Sequence, residues 1–385
     1  MVSKIIATGS AVPKPRLTNE MLSAWMDTND EWIRTRTGIH ARHVLYAPEA
    51  GIQEGSASGE KTPAASLLDL AACAAERALE MAEEKGLARS EIGLVLAATC
   101  TPDEQFPALS CRLQGRLGLS SAAAFDVSLA CTGFLAALST ADAYIRAGLC
   151  KTVLVVGGDA MSRLINWHDR STAILFGDAA GAVIVSGDVR FQHDGKSGIL
   201  RSIMHADGTG GDLLACKALY RGDIERAFLE AEQRGKAEAK EKKLTAEQCG
   251  GEAAADCAGE SSSADAVFQE AKEGDIHMDG RQVFSFATRK VPEAVREVLC
   301  GMEEAPRYYI LHQANYRIIE SVAKKLKEPM EKFPTNLSEY GNTTAATIPV
   351  LLDELNRKGS LAEGDLLCLS GFGAGLSYGA MLLRW

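Results

Sequence analysis

Four stretches of this chain hold residues whose types and spacing could do chemistry. The first is SLACTGFLAAL, Ser128–Leu138, where Cys131 stands among small residues at the point where a strand hands over to a helix. If the helix begins near Thr132, the thiol lies at its N-terminus, where unpaired N–H groups and the helix dipole stabilise a thiolate. Ala130, Thr132 and Gly133 leave room for a ligand, and a thiolate there could hold an acyl group as a thioester. The competing reading is an inert cysteine serving as a small hydrophobe.

The second stretch is LHQANYRII, Leu311–Ile319. His312 ends an apolar strand just before a helix, a position that delivers a side chain to a cleft at the carboxyl ends of strands. It could be a base, a hydrogen-bond donor or a satisfied structural imidazole. The third is EYGNTTAAT, Glu339–Thr347, where Asn342 is either a helix cap or an amide donor to an oxyanion. Asn342-Thr343-Thr344 also matches a glycosylation sequon, set aside because no secretion signal is recognised in the sequence. The fourth is GFGAGLSYGA, Gly371–Ala380, a glycine-rich turn able to aim backbone N–H groups at a bound oxygen. It lacks the GK[ST] ending of a phosphate loop.

These residues need elements to position them. Ile92–Thr99, Lys151–Asp159, Ala180–Gly187, Arg307–Gln313 and Asp365–Gly373 are short, continuously apolar runs, the pattern of strands covered on both faces. Between them Ser66–Gly86, Thr132–Gly148 and Arg317–Lys327 read as helices. Strand and helix alternation means α/β layers. Phe176–Val185 resembles Gly371–Leu383, and Ser128–Leu138 resembles Tyr340–Leu355. This is either coincidence or a duplication that places the starts of two helices, near Cys131 and Asn342, about a shared centre. Residues 216–274, rich in Ala, Glu, Lys, Ser and Gly, break the rhythm and read as a surface insertion. Within it Cys249 and Cys257 match no zinc spacing, so no metal is expected.

Composition narrows the function class. A net charge of −10 argues against nucleic acid as the main partner. Ten scattered cysteines without a CxxC pair fit reduced thiols rather than a disulfide scaffold. The start, MVSKIIATGSAVP, lacks the features of a signal peptide, and no apolar run approaches a membrane span. The expectation is a cytoplasmic protein with no membrane partner.

Taken together, these motifs resemble the β-ketoacyl-acyl carrier protein synthase III family of the thiolase-like superfamily. The matching stretches are Asp27–Ile39, Asp126–Phe134, Asp169–Ala182, His205–Leu214, Leu311–Ile319 and Tyr340–Thr347, in the family's order over nearly the whole chain. The resemblance implies an α/β thiolase-like fold: two pseudo-symmetric halves, 1–190 and 191–385, in an αβαβα arrangement of five layers. It implies a triad of Cys131, His312 and Asn342, and the thirty-residue spacing of the last two agrees with the family. It further implies an acyl-cysteine intermediate formed from a short acyl-CoA, then decarboxylating condensation with malonyl-acyl carrier protein, initiating type II fatty acid synthesis. The backbone N–H groups of Cys131 and Ala374 would form an oxyanion hole. Trp32, Arg36 and Arg170 would hold CoA, a substrate, so that no cofactor is expected. Phe106 would reach the acyl pocket of a partner in a homodimer, and Phe284 would contribute to the acyl pocket from a segment near the pantetheine tunnel. Arg317, Lys324 and Lys325 would dock the acidic carrier protein, although the two lysines also suit a plain solvated helix face. Two other readings compete: a related acyltransferase or condensing enzyme of secondary metabolism, and a non-catalytic carrier-protein scaffold.

Overall fold

The computed structural model describes residues 2–47, 53–54, 65–192, 197–218 and 275–385. The chain forms two compact units, Met1–Leu214 with Met278–Trp385, and Ala215–His277. Most of the second unit, including Cys249 and Cys257, lies outside the described residues.

The strands are β1 Lys4–Ala11, β2 Pro15–Thr18, β3 Ala41–His43, β4 Gln53–Glu54, β5 Leu94–Ala98, β6 Ala123–Val127, β7 Thr152–Asp159 and β8 Ala179–Ser186. They continue as β9 Gly198–Ala206, β10 Leu214–Cys216, β11 Ile276–Met278, β12 Tyr308–Leu311, β13 Leu366–Gly373 and β14 Ser377–Arg384. The helices are α1 Asn19–Leu22, α2 Asp30–Thr37, α3 Leu67–Glu84, α4 Leu109–Arg116, α5 Gly133–Arg146, α6 Gly280–Val298, α7 Tyr316–Leu326, α8 Leu337–Tyr340 and α9 Thr347–Arg357.

Two sheets organise the first unit. One has the order β1-β8-β7-β5-β6, with β5 parallel to β6 and β7, and β8 antiparallel to β7 and β1. The other runs β12-β13-β14-β9, with β12 and β13 parallel. Side chains alternate between two apolar layers, as the continuous apolar runs require. Val95, Ala97, Leu154 and Val156 pack outward on α3 through Leu70, Ala71, Ala74 and Ala78. Leu94, Leu96, Val153 and Val155 point inward to Phe134 and Leu138 of α5 and Ile348, Leu351 and Leu352 of α9. That same inner core includes Ile310, Leu367 and Leu369 of the second sheet. On its far face Tyr309, Cys368 and Leu382 meet Val291 and Val295 of α6 and Ile319 and Val322 of α7. The layers are therefore helix, sheet, helix, sheet, helix. Helix α9 is buried nearly all round, as a helix between two sheets must be.

A constant separation of 214 residues relates the halves. It links the start of β5 at Leu94 to that of β12 at Tyr308, and β7 at Thr152 to β13 at Leu366. It also links the turn at Ala130 to that at Thr344, and α5 at Gly133 to α9 at Thr347. This register aligns the two stretches that resemble each other in sequence, Ser128–Leu138 and Tyr340–Leu355. The counterpart of Cys131 is Ala345, and the counterpart of Asn342 is Ser128. Among the described residues, no helix is long and apolar enough to cross a membrane.

Candidate active site

Cys131 lies in the turn Ala130–Thr132 that carries the chain from β6 into α5. Ala130 holds φ 42°, the left-handed region that costs a residue with a Cβ, and such strain concentrates at functional sites. The turn is braced from the second sheet. Thr132 Oγ1 lies 2.7 Å from Ser377 Oγ, which itself donates to the Ala374 carbonyl at 3.0 Å. At Gly373 a Cβ would stand 3.0 Å from both the N and Cβ of Cys131, so only glycine lets the end of β13 come this close.

The helix start is where the sequence places it, but the thiol is not a resting thiolate. Burial, and then the nearby Asp159 carboxylate, push its pKa up to about 12 against the opposing backbone N–H. Desolvation and like charge outweigh the helix N-terminus at this site.

His312 follows β12, and its N–H donates to Ser370 O at 2.8 Å, continuing the pairing with β13. The residue is 3% exposed, and burial lowers the pKa of its ring to about 3, so the ring is neutral near pH 7. Nδ1 lies 2.7 Å from Thr347 Oγ1 at the start of α9. Phe372 presses edge-on, with ring centroids 5.5 Å apart. Among the described residues, Nε2 has no hydrogen-bond partner. The two parts meet at Gly371, where a Cβ would stand 3.3 Å from His312 Cβ and 3.9 Å from Cys131 O.

Asn342 is held by its backbone to the segment that precedes β8. Its N–H donates to Leu175 O at 2.8 Å, and its carbonyl accepts from Gly177 N at 3.1 Å. Gly341, at φ 66°, makes this possible, because a Cβ there would stand 2.7 Å from Leu175 O. The side-chain Oδ1 accepts the Thr344 N–H at 2.9 Å, which leaves Nδ2 as the free donor end. The turn Thr344–Ala346 packs against the turn Ala130–Thr132. Cys131, His312 and Asn342 are thus brought to one place where the halves meet.

The sequence reading passed over Asp159, although a carboxylate closing the apolar strand TVLVVGGD at its carboxyl end was the available signal. Asp159 is fully buried. Its Oδ1 accepts from Thr99 Oγ1 at 3.0 Å, Cys100 N at 2.8 Å and Thr101 Oγ1 at 3.1 Å. Its Oδ2 accepts from the Thr344 hydroxyl and from Ala345 N at 3.2 Å. Thr347 and Ser377 were likewise unmarked.

The remaining candidates lie farther out. Trp32 on α2 has the guanidinium carbons of Arg36 and Arg170 at 4.4 and 5.0 Å from its ring centroid. Phe106 is 84% exposed and points away from its own core. Phe284 is half-buried on α6, with Arg317 of α7 5.8 Å from its ring centroid. Lys324 and Lys325 are exposed in the last turn of α7, and Lys325 Nζ donates to Thr288 O at 2.9 Å. Among the described residues, no three His, Cys, Asp or Glu side chains form a group able to hold a metal ion.

Residues 125–208 match the family described as 3-oxoacyl-[acyl-carrier-protein] synthase III, and residues 303–385 match its C-terminal part. The β-ketoacyl-[acyl-carrier-protein] synthase III of Clostridium acetobutylicum is 38% identical, over 99% of this chain and 98% of the relative. The crystal structure of 3-oxoacyl-[acyl-carrier-protein] synthase III from Aquifex aeolicus superimposes with a TM-score of 0.76 at 36% identity, covering 100% of both chains. That of the Pseudomonas aeruginosa protein gives 0.77 at 32% identity, covering 100% of this chain and 98% of that one. With the thiol, imidazole and amide assembled between two matching α/β halves, and with likeness of this extent, the chain belongs to the β-ketoacyl-acyl carrier protein synthase III family of condensing enzymes.

Proposed function

We propose that this protein joins a short acyl group from acyl-CoA, acetyl in the simplest case, to malonyl-acyl carrier protein through an acyl-Cys131 intermediate. The observation that carries this reading is the tying of two uncharged side chains at their inner atoms. His312 is held at Nδ1 by Thr347 and Asn342 at Oδ1 by Thr344, so that Nε2 and Nδ2 face the site.

In the first half-reaction Cys131 Sγ bonds to the thioester carbonyl carbon. The N–H groups of Cys131 and Ala374 hold the oxygen as it gains charge. The carbon–sulfur bond to CoA breaks, and the thiol proton leaves with CoA as its thiol. In the second, malonyl-acyl carrier protein loses carbon dioxide, and the electron pair of the broken carbon–carbon bond becomes a thioester enolate. The Thr347 hydroxyl lies within reach of both Nδ1 and the Thr344 carbonyl; in the working tautomer it turns to Nδ1 and the ring hydrogen sits on Nε2, so that His312 and the Asn342 amide both donate to the enolate oxygen. Neutral donors in a dry pocket suit this charge, which exists only during reaction. The enolate carbon attacks the acyl carbonyl, and Cys131 leaves and regains a proton.

Trp32, Arg36 and Arg170 make an exposed aromatic and cationic surface suited to the adenine and phosphates of CoA. Arg317, Lys324 and Lys325 offer local positive charge on an acidic chain, suited to an acidic carrier protein. The exposed Phe106 and the edge strand β6 suit a second copy of the chain, whose acyl pocket Phe106 would enter. Phe284 lies under Arg317, a place suited to the mouth of the substrate tunnel. The setting for this chemistry is the cytoplasm, at the start of type II fatty acid synthesis.

A second reading has its own support: a priming β-ketosynthase of a polyketide pathway superimposes with a TM-score of 0.77 at 29% identity. Assay with a series of acyl-CoA primers and malonyl-acyl carrier protein tests the proposal. Condensation that favours acetyl-CoA supports it. Acylation of Cys131 without condensation would favour a starter acyltransferase.

A further inference from the structure

We propose that Asp159 is a positioning residue for this reaction: its carboxylate clamps the turn from which both Asn342 and His312 are held. The inference rests on the condensing reading above. One carboxylate, fully buried at the end of β7, serves five N–H and O–H donors besides the Cys100 thiol. Three of them, on Thr99, Cys100 and Thr101, belong to the segment that leaves β5. The other two, the Thr344 hydroxyl and the Ala345 N–H, belong to the other half, in the turn that enters α9.

That turn does two jobs. The Thr344 N–H orients the Asn342 amide, and Thr347, three residues on, holds His312 Nδ1. Thr344 sits at φ 50°, a conformation that its neighbours must enforce. The clamp on its hydroxyl and on the next N–H is the visible restraint. By the 214-residue relation, the counterpart of Asp159 is Gly373, the residue whose missing Cβ admits Cys131. One half therefore supplies the clamp where the other supplies the clearance.

The same carboxylate carries a charge beside the nucleophile. Asp159, at the end of β7, acts on the Cys131 thiol through its charge, and His312, just after β12 beside the same site, is neutral. Around Asp159 itself the groups are hydroxyls, N–H groups and the Cys100 thiol at 3.4 Å. Among the described residues, no cation pairs with it. Burial first, and the Asp159 charge second, disfavour the thiolate, while the same carboxylate holds the donors in place.

The test is Asp159→Asn in the full-length protein, with two readouts. The first is alkylation of Cys131 by iodoacetamide, followed by peptide mass spectrometry, which requires no substrate. Removing the charge is expected to speed alkylation at pH 8 about tenfold, the effect of lowering a thiol pKa by about one unit. Cys368, fully buried on β13, serves as the control for loosening and should stay unmodified. The second readout is decarboxylation of malonyl-acyl carrier protein. Its kcat is expected to fall about 100-fold with KM within about threefold, as for donors that act in the transition state. Unchanged alkylation, alkylation shared by Cys368, or unchanged kcat would each overturn the proposal. If wild type itself does not decarboxylate the substrate, the condensing reading fails, and the alkylation profile still decides whether Asp159 bears on Cys131. If Asp159→Asn does not fold, Thr344→Ala removes one donor and keeps the charge. It should leave Cys131 alkylation unchanged and lower decarboxylation kcat about tenfold, and failure of either overturns the clamp.

Discussion

Thr347 Oγ1 stands 2.7 Å from His312 Nδ1, wholly inside the protein, at the first residue of α9. A buried neutral imidazole has one nitrogen to tie down and one to use. This contact decides which is which. Thr347→Val keeps the shape and removes the hydroxyl. Carbon dioxide release from malonyl-acyl carrier protein should fall about 10- to 100-fold in that variant, and Thr347→Ser should restore most of it.

Under the proposed mechanism, Asn342 should distinguish the two half-reactions. Its Oδ1 is occupied by the Thr344 N–H, and its Nδ2 is the end that can reach an enolate. Asn342→Ala should therefore still form acyl-Cys131 from acetyl-CoA. Its decarboxylation rate should fall by about 10²- to 10³-fold, as when one oxyanion donor is removed. Loss of the acylation step alone would reverse this assignment.

The pH behaviour follows from burial. His312 titrates near 3 in the folded protein and near its ordinary value of 6.5 when unfolded. The folded pKa is depressed, so protonation favours the unfolded chain. The contribution of the neutral ring to stability is full above about pH 6.5 and is lost as pH falls toward 3. A donor that stays neutral predicts decarboxylation kcat flat from about pH 8 to pH 5.5, whereas a histidine of ordinary pKa would bend the profile near 6.5. Stopped assays across that range, on enzyme shown to remain folded, give the answer.

Much of this was readable in the sequence, and the limits have physical causes. Cys131 and His312 announced themselves because a reactive side chain at a strand-to-helix junction is visible in one dimension. Runs such as TVLVVGGD, apolar on both faces, made α/β layering legible, and the family resemblance supplied their number. The duplication was visible too, but its register was not. Similar small-residue patterns paired the two stretches without saying which residue answers which, and the paired turns set Cys131 opposite Ala345. The protonation of the thiol was not readable at all. A helix N-terminus argues for thiolate, and only the three-dimensional burial, with Asp159 alongside, reverses it. Asp159, Thr344 and Thr347 were missed because their partners are distant in sequence or gain meaning only from what they hold.

Carrier-protein docking is an electrostatic question. Arg317 and Lys324 are exposed on α7, while Lys325 is partly engaged with Thr288 O. Arg317→Glu and Lys324→Glu should each raise KM for malonyl-acyl carrier protein several-fold, to about tenfold, and weaken its dependence on salt. KM for acetyl-CoA should not change. Equal effects on both substrates would place these residues elsewhere in the mechanism.

The central claim is that Cys131 carries the acyl group. Intact-mass and peptide analysis after incubation with acetyl-CoA tests it most directly. The account predicts one acetyl group per chain, on Cys131, discharged when malonyl-acyl carrier protein is added and absent from Cys131→Ser. No adduct, or an adduct on another cysteine that malonyl-acyl carrier protein discharges, would contradict it.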